Sequence, residues 1–238
     1  MGLDRLLHPR RSAAVGGLLA GGALLCGCPA EQLGVELPRG GALAISQEDL
    51  RRDAWLVQQA ADPAAAAGEV GKRLSQMRLL PAFGDAWIRA GEQGPVACGR
   101  KDGAGQGSLL VIAVGDPGTT SGAVAWAGLV SLAKGWDLPG VPARSRILCV
   151  AAGPEAAQAL LATPPVPVQQ VVAAVSLGPL HGAAPALTGP LDPGPGGTPP
   201  TWRLEVPGPM PDGLGEVDYR LVEAGTRQAL EQVDNLPL

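Results

Sequence analysis

Three long apolar runs and several helical spacings divide this chain into recognisable parts. Ser108 to Val114 (SLLVIAV), Arg146 to Ala152 (RILCVAA) and Val168 to Leu177 (VQQVVAAVSL) are dominated by apolar residues. A strand covered on both faces reads this way, because neither side of its pleat meets water. The first run is followed by a glycine-rich turn, GDPGTTSG, and an Ala/Leu-rich helix predicted over 120–134. The second leads through Gly153-Pro154-Glu155 into a short helix ending near Ala162. Strands that alternate with helices need crossover connections. The predicted fold class is therefore α/β, with a mainly parallel sheet and helices on both faces.

Upstream, Ser46 is a predicted N-cap with Asp49 in the first helical turn. Leu50, Ala54, Val57 and Ala61 follow at helical spacing. Asp62-Pro63 opens a second helix, with Val70, Leu74 and Met77 facing inward and an end near Arg78. Short extended segments are expected near 86–90 and 94–99. Residues 178–200 read as a long Pro/Gly-rich loop, Trp202 to Val206 as one more strand, and Glu216 to Val233 as a terminal helix. Leu221, Ala224, Ala229, Leu230 and Val233 fall on or near one face of that helix.

The N-terminus has a different pattern. Arg5, Arg10 and Arg11 precede an uncharged, mostly apolar run from Ser12 to Leu25. That run is too short to span a hydrocarbon core of about 30 Å, and it matches the apolar region of a secretory signal. Leu25-Cys26-Gly27-Cys28 resembles the lipobox of bacterial lipoproteins. The resemblance implies cleavage before Cys28 and acylation of its thiol. The expected organisation is a signal peptide at 1–27, a lipidated Cys28 with a tether over 28–44, and a single domain over 45–238. The expected location is a bacterial cell envelope, with the membrane as partner through Cys28.

Composition narrows the function. The formal net charge is −4 and no basic stripe is present, so nucleic acid is not an expected partner. Aromatics make up 3% of the chain, which leaves Leu, Val and Ala to build the core. Trp55, Trp87, Trp126, Trp136 and Trp202 read as core or interface filler. Cys98 and Cys149 read as two separate buried thiols in preference to a disulfide.

Residues 73–91, RLSQMRLLPAFGDAWIRAG, resemble the entry to the bacterial leucyl-aminopeptidase-like family of two-zinc peptidases. That family includes glutamate carboxypeptidases and the ectodomain of the transferrin receptor. Its landmarks follow in order over roughly 70–180: Val114-Gly115-Asp116, Thr119-Thr120-Ser121-Gly122, Gly153-Pro154-Glu155-Ala156 and Ser176-Leu177-Gly178. The resemblance implies a zinc-aminopeptidase-like (phosphorylase/hydrolase-like) domain. That domain would be truncated, because the Pro/Gly segment stands where further strands belong.

The same resemblance implies a degenerate site. Val114, Thr119, Ala156 and Gly178 fall at its metal-ligand positions, and none of them supplies a carboxylate or imidazole. Asp116 matches a carboxylate behind the ligands, and Glu155 matches the general base. A base has little to act on without a metal-activated water. Asp116 also suits its own turn beside Pro117, and Glu155 suits the first turn of a helix. His181 is expected to be exposed and idle.

The expected function is thus a non-catalytic lipoprotein that binds or scaffolds a peptide or protein partner, with no catalytic residue, metal or cofactor. Three other chemistries remain. A residual zinc aminopeptidase would bring zinc as its cofactor. The loop at 115–122, at a helix N-terminus, could hold an anion or nucleotide. Ser121 with His181 could form a serine hydrolase, although GTTSG is not the GxSxG nucleophile turn.

Overall fold

The computed structural model describes residues 44–137, 142–191 and 198–236. The predicted signal, Cys28 and nearly all of the tether lie outside the described residues. The first element is α1 (Gln47–Gln58), capped by Ser46, whose Oγ accepts the Asp49 amide at 3.2 Å. Next comes α2 (Pro63–Ser75). Asp62 caps it and accepts the Ala65 amide at 2.8 Å. Leu50, Ala54, Val57, Val70 and Leu74 are buried as the spacing predicts. Ala61 lies past the end of α1 and is exposed, and α2 stops at Ser75, three residues before the expected end.

β1 (Leu80–Pro81), β2 (Ile88–Arg89) and β3 (Val96–Lys101) are short strands, followed by β4 (Ser108–Val114). Then come α3 (Thr120–Trp136), β5 (Ser145–Ala151), α4 (Pro154–Ala162) and β6 (Val171–Leu177). β7 (Ala186–Leu191), β8 (Thr201–Glu205) and α5 (Tyr219–Asp234) complete the order. The start of the predicted strand at 168–177 is a single 3-10 turn over Val168–Gln170.

The sheet runs β1-β3-β5-β4-β6-β8-β7, with β2 also paired to β3. Its centre, β5-β4-β6-β8, is parallel, and its flanks are antiparallel. The predicted parallel sheet is thus correct at the centre. The loop assigned to 178–200 is corrected, because it contains β7, an edge strand. β7 is exposed at nearly every position and interrupted by Gly189-Pro190, so it carries no apolar period to read.

The strand order places the helices. β5 lies on one side of β4 and β6 on the other. Right-handed crossovers in opposite directions put α3 and α4 on opposite faces. Two cores result. The larger lies under α1, α2, α3 and α5. The smaller lies under α4 and includes Val96, Leu110, Ile112, Ile147, Ala156 and Leu160. α3 is buried almost all round because α1, α2 and α5 cover its outer side. The apolar face of α5 is formed by Val222, Ala229, Leu230 and Val233, and Leu221 points to solvent.

One finding corrects an expectation drawn from residue type. Cys98 and Cys149 form a disulfide with a Cα separation of 4.2 Å. They are direct partners in the β3–β5 register, and both are fully buried. Trp126, Trp136 and Trp202 are buried and Trp87 partly so, but Trp55 is 55% exposed.

A charged cluster ties three helices together. Asp53 of α1 is 2% exposed. It pairs with Arg73 of α2 at 3.0 Å, Lys134 of α3 at 3.4 Å and Arg52 at 3.3 Å. Lys134 also reaches Asp49 at 3.0 Å. Burial alone would raise the Asp49 carboxyl. The hydrogen bond and charge of Lys134, with the charge of Arg52, outweigh that and hold it below its ordinary value.

Candidate functional site

In an open α/β sheet the natural ligand site is the crevice at the carboxyl ends of the strands, where the strand order reverses. Here that point is the end of β4, between β5 and β6. The loops leaving these three strands carry the positions singled out in the sequence. Val114 ends β4 and packs against the smaller core. The Gly115 amide donates to the Ala151 carbonyl at 3.1 Å, joining the ends of β4 and β5.

The turn into α3 is closed by its own hydrogen bonds. Asp116 is exposed, and its Oδ1 accepts the Gly118 amide at 2.9 Å. Its carbonyl accepts the Thr119 amide at 3.0 Å and the Thr119 hydroxyl at 2.7 Å. Thr119 Oγ1 in turn accepts the Gly122 amide at 3.1 Å and caps α3. Thr120 Oγ1 donates to the Asp212 carbonyl at 2.8 Å. The glycine at 122 is a steric requirement, since a Cβ there would lie 1.9 Å from the Asp116 carbonyl oxygen. Close packing therefore accounts for the glycine, and Asp116 and Thr119 occupy amides an anion would need. Asp116 also places a carboxylate on the loop.

Glu155 is exposed in the first turn of α4. Ala156, beside it, points into the smaller core, and its Cβ lies 4.0 Å from where a side chain on Gly94 would begin. Gly178 follows β6, and its amide donates to the Leu204 carbonyl at 2.9 Å. A Cβ at 178 would meet Glu205 at 2.8 Å from its Cβ and 3.0 Å from Oε2. Glu205, at the end of β8, thus fills the space a ligand at 178 would need. No motif marks Glu205 in the sequence. Its one signal was its place at the end of a predicted strand.

His181 is partly buried, and its Nδ1 is inaccessible with no hydrogen-bond partner among the described residues. That corrects its expected exposure. Serine-hydrolase chemistry has no Ser121–His181 hydrogen bond to build on among the described residues.

A zinc site needs at least three protein donors converging on one point. Among the described residues no group of three or more His, Cys, Asp or Glu side chains is placed to hold a metal ion. The residues present at this crevice do not fit a zinc pair. Restoring one ligand should not rebuild it. Gly178→Asp is expected to lower stability by about 1–3 kcal/mol through overpacking. Adding Glu205→Gly, which removes the Cβ at 2.8 Å as well as the carboxylate, should recover part of that loss, and thermal unfolding of the two variants checks it.

No family model and no curated protein matches the sequence. Solved structures do match the fold. A leucine aminopeptidase precursor from Bacteroides thetaiotaomicron is 11% identical with a TM-score of 0.59, over 81% of this chain and 98% of that one. Porphyromonas gingivalis glutaminyl cyclase is 8% identical with a TM-score of 0.57, over 82% and 99%. The Legionella pneumophila LapA aminopeptidase is 10% identical with a TM-score of 0.58, over 80% and 71%. At these identities the likeness is one of fold. The chain has the α/β fold seen in zinc-dependent exopeptidases and bacterial glutaminyl cyclases.

Proposed function

We propose that this chain is a non-catalytic, lipid-anchored lipoprotein of a bacterial envelope, with a zinc-exopeptidase-like domain that binds or scaffolds a partner. The observation that carries the reading is the donor-poor crevice. Asp116 is committed to its turn, Glu155 lies exposed on α4, and Glu205 fills the space beside Gly178. A two-metal hydrolase activates its water with metal ions held by converging donors, and among the described residues no three such side chains converge. The Cys98–Cys149 disulfide favours an oxidising compartment, which agrees with export. The lipobox at Leu25–Cys28 supplies the anchor, with Cys28 as the acylated thiol. More than one acyl chain is needed for stable attachment.

Two measurements test the two halves of this proposal. In a bacterial host, the full chain should take up radiolabelled palmitate and Cys28→Ala should not. The purified protein should neither release amine from an aminoacyl p-nitroanilide nor cyclise an N-terminal glutamine. Sustained turnover in either assay would make the chain an enzyme of the kind its fold neighbours are named for.

A further inference from the structure

Trp55 is the largest exposed apolar side chain among the described residues. It sits on α1 one turn after Arg51, and this i, i+4 spacing puts both on one stripe of the helix. Facing them are Leu214 and Gly215 of a single 3-10 turn, then Val217, then Tyr219 at the start of α5. Together they line a groove of about 360 Å³. That is at the small end of ligand sites, which span roughly 300–1,000 Å³. It has room for a short run of side chains and not for a folded domain.

Among the described residues, two polar groups on its wall lack polar partners. The Arg51 guanidinium lies 5.3 Å from the centre of the Tyr219 ring. Among the described residues no carboxylate pairs with it, and Asp49 and Asp53 are engaged by Arg52, Arg73 and Lys134. Tyr219 is 3% exposed, and its hydroxyl has no hydrogen-bond partner among the described residues. Burial pushes this phenol up, against the opposing charge of Arg51. An unpaired buried hydroxyl costs about 1–3 kcal/mol, and native proteins rarely carry one without a reason.

We propose that this groove binds an acidic peptide segment. An apolar side chain lies on the Trp55 indole, and a neighbouring carboxylate meets Arg51. A charge-assisted contact with a guanidinium is among the stronger hydrogen bonds, and an exposed indole supplies apolar area with little side-chain entropy to lose. The surrounding charges favour a peptide over an anionic membrane surface. Glu48, one turn before Arg51, and Glu216, beside Gly215, are both exposed. A bilayer needs several cations, each contributing about 1 kcal/mol, and would press its headgroups onto both acids. One carboxylate on a short segment meets Arg51 alone. The proposal gives the binding role above a ligand class and a place. It shares no residue with the crevice, so either can fail without the other.

The test is a titration of the purified full chain with acetyl-Leu-Asp-Leu-amide and its Leu-Asn-Leu counterpart. Binding is read from the Trp55 indole NMR signal, identified as the one missing in Trp55→Phe. The Asp peptide should shift that signal saturably and bind about tenfold tighter than the Asn peptide. Arg51→Gln should abolish the preference and Arg51→Lys should keep part of it. Arg51 is exposed, so both variants should melt like the parent. An unmoved Trp55 signal or equal affinities for the two peptides would overturn the proposal. So would response of the groove only to phosphatidylglycerol vesicles, or its burial in a dimer that the peptide does not displace.

Discussion

Asp53→Ala is expected to cost about 3 kcal/mol of folding stability, the lower end for breaking a buried ion pair. Asp53 is nearly inaccessible and faces three cations from three helices. Removing it leaves Arg73 and Lys134, whose side chains are only 23% and 20% exposed, without their shared counter-charge. The lower end applies because both cations keep some water, and Lys134 keeps Asp49. Asp53→Asn should cost less than Asp53→Ala, since it retains an oxygen acceptor while losing the charge. Urea unfolding should show both as shifts in midpoint with unchanged slope. A loss below about 1 kcal/mol for Asp53→Ala would mean the cluster behaves like a surface pair.

Replacing Cys98 and Cys149 together by alanine is expected to cost about 4 kcal/mol. That is the chain-entropy figure for a bond closing a separation of 51 residues. The bond staples β3 to β5, where an antiparallel flank joins the parallel centre. Because both sulfurs are fully buried, a reductant should open the bond in the unfolded chain far faster than in the folded one. Unfolding with and without reductant should separate the two states by the same amount as the double substitution.

How far the fold was legible follows from where its information lies. β4, α3 and α4 are local: an apolar run, an Ala/Leu-rich stretch after a glycine-rich turn, and a Gly-Pro-Glu helix start, each readable within a few residues. The N-caps Ser46 and Asp62 were legible for the same reason. The disulfide was not, because Cys98 and Cys149 become neighbours only when β3 pairs antiparallel with β5. The Asp53 cluster was hidden likewise, its charges being spread over α1, α2 and α3. β7 failed for a different reason. It lies exposed at the sheet edge, held by backbone bonds to β8, and needs no apolar pattern. At the crevice, sequence placed Val114, Asp116, Thr119, Glu155 and Gly178 at or just after the ends of β4, β5 and β6. It did not foresee that Ala156 turns into the smaller core, or that Glu205 takes the space beside Gly178. Both facts depend on the orientation of a neighbouring element.

The most direct test of the central claim is a calorimetric titration of the metal-stripped, purified protein with zinc. No stoichiometric uptake is expected, and Glu155→Gln and Asp116→Asn should give the same heat as the parent. Binding of two zinc ions per chain, weakened by either substitution, would contradict that claim.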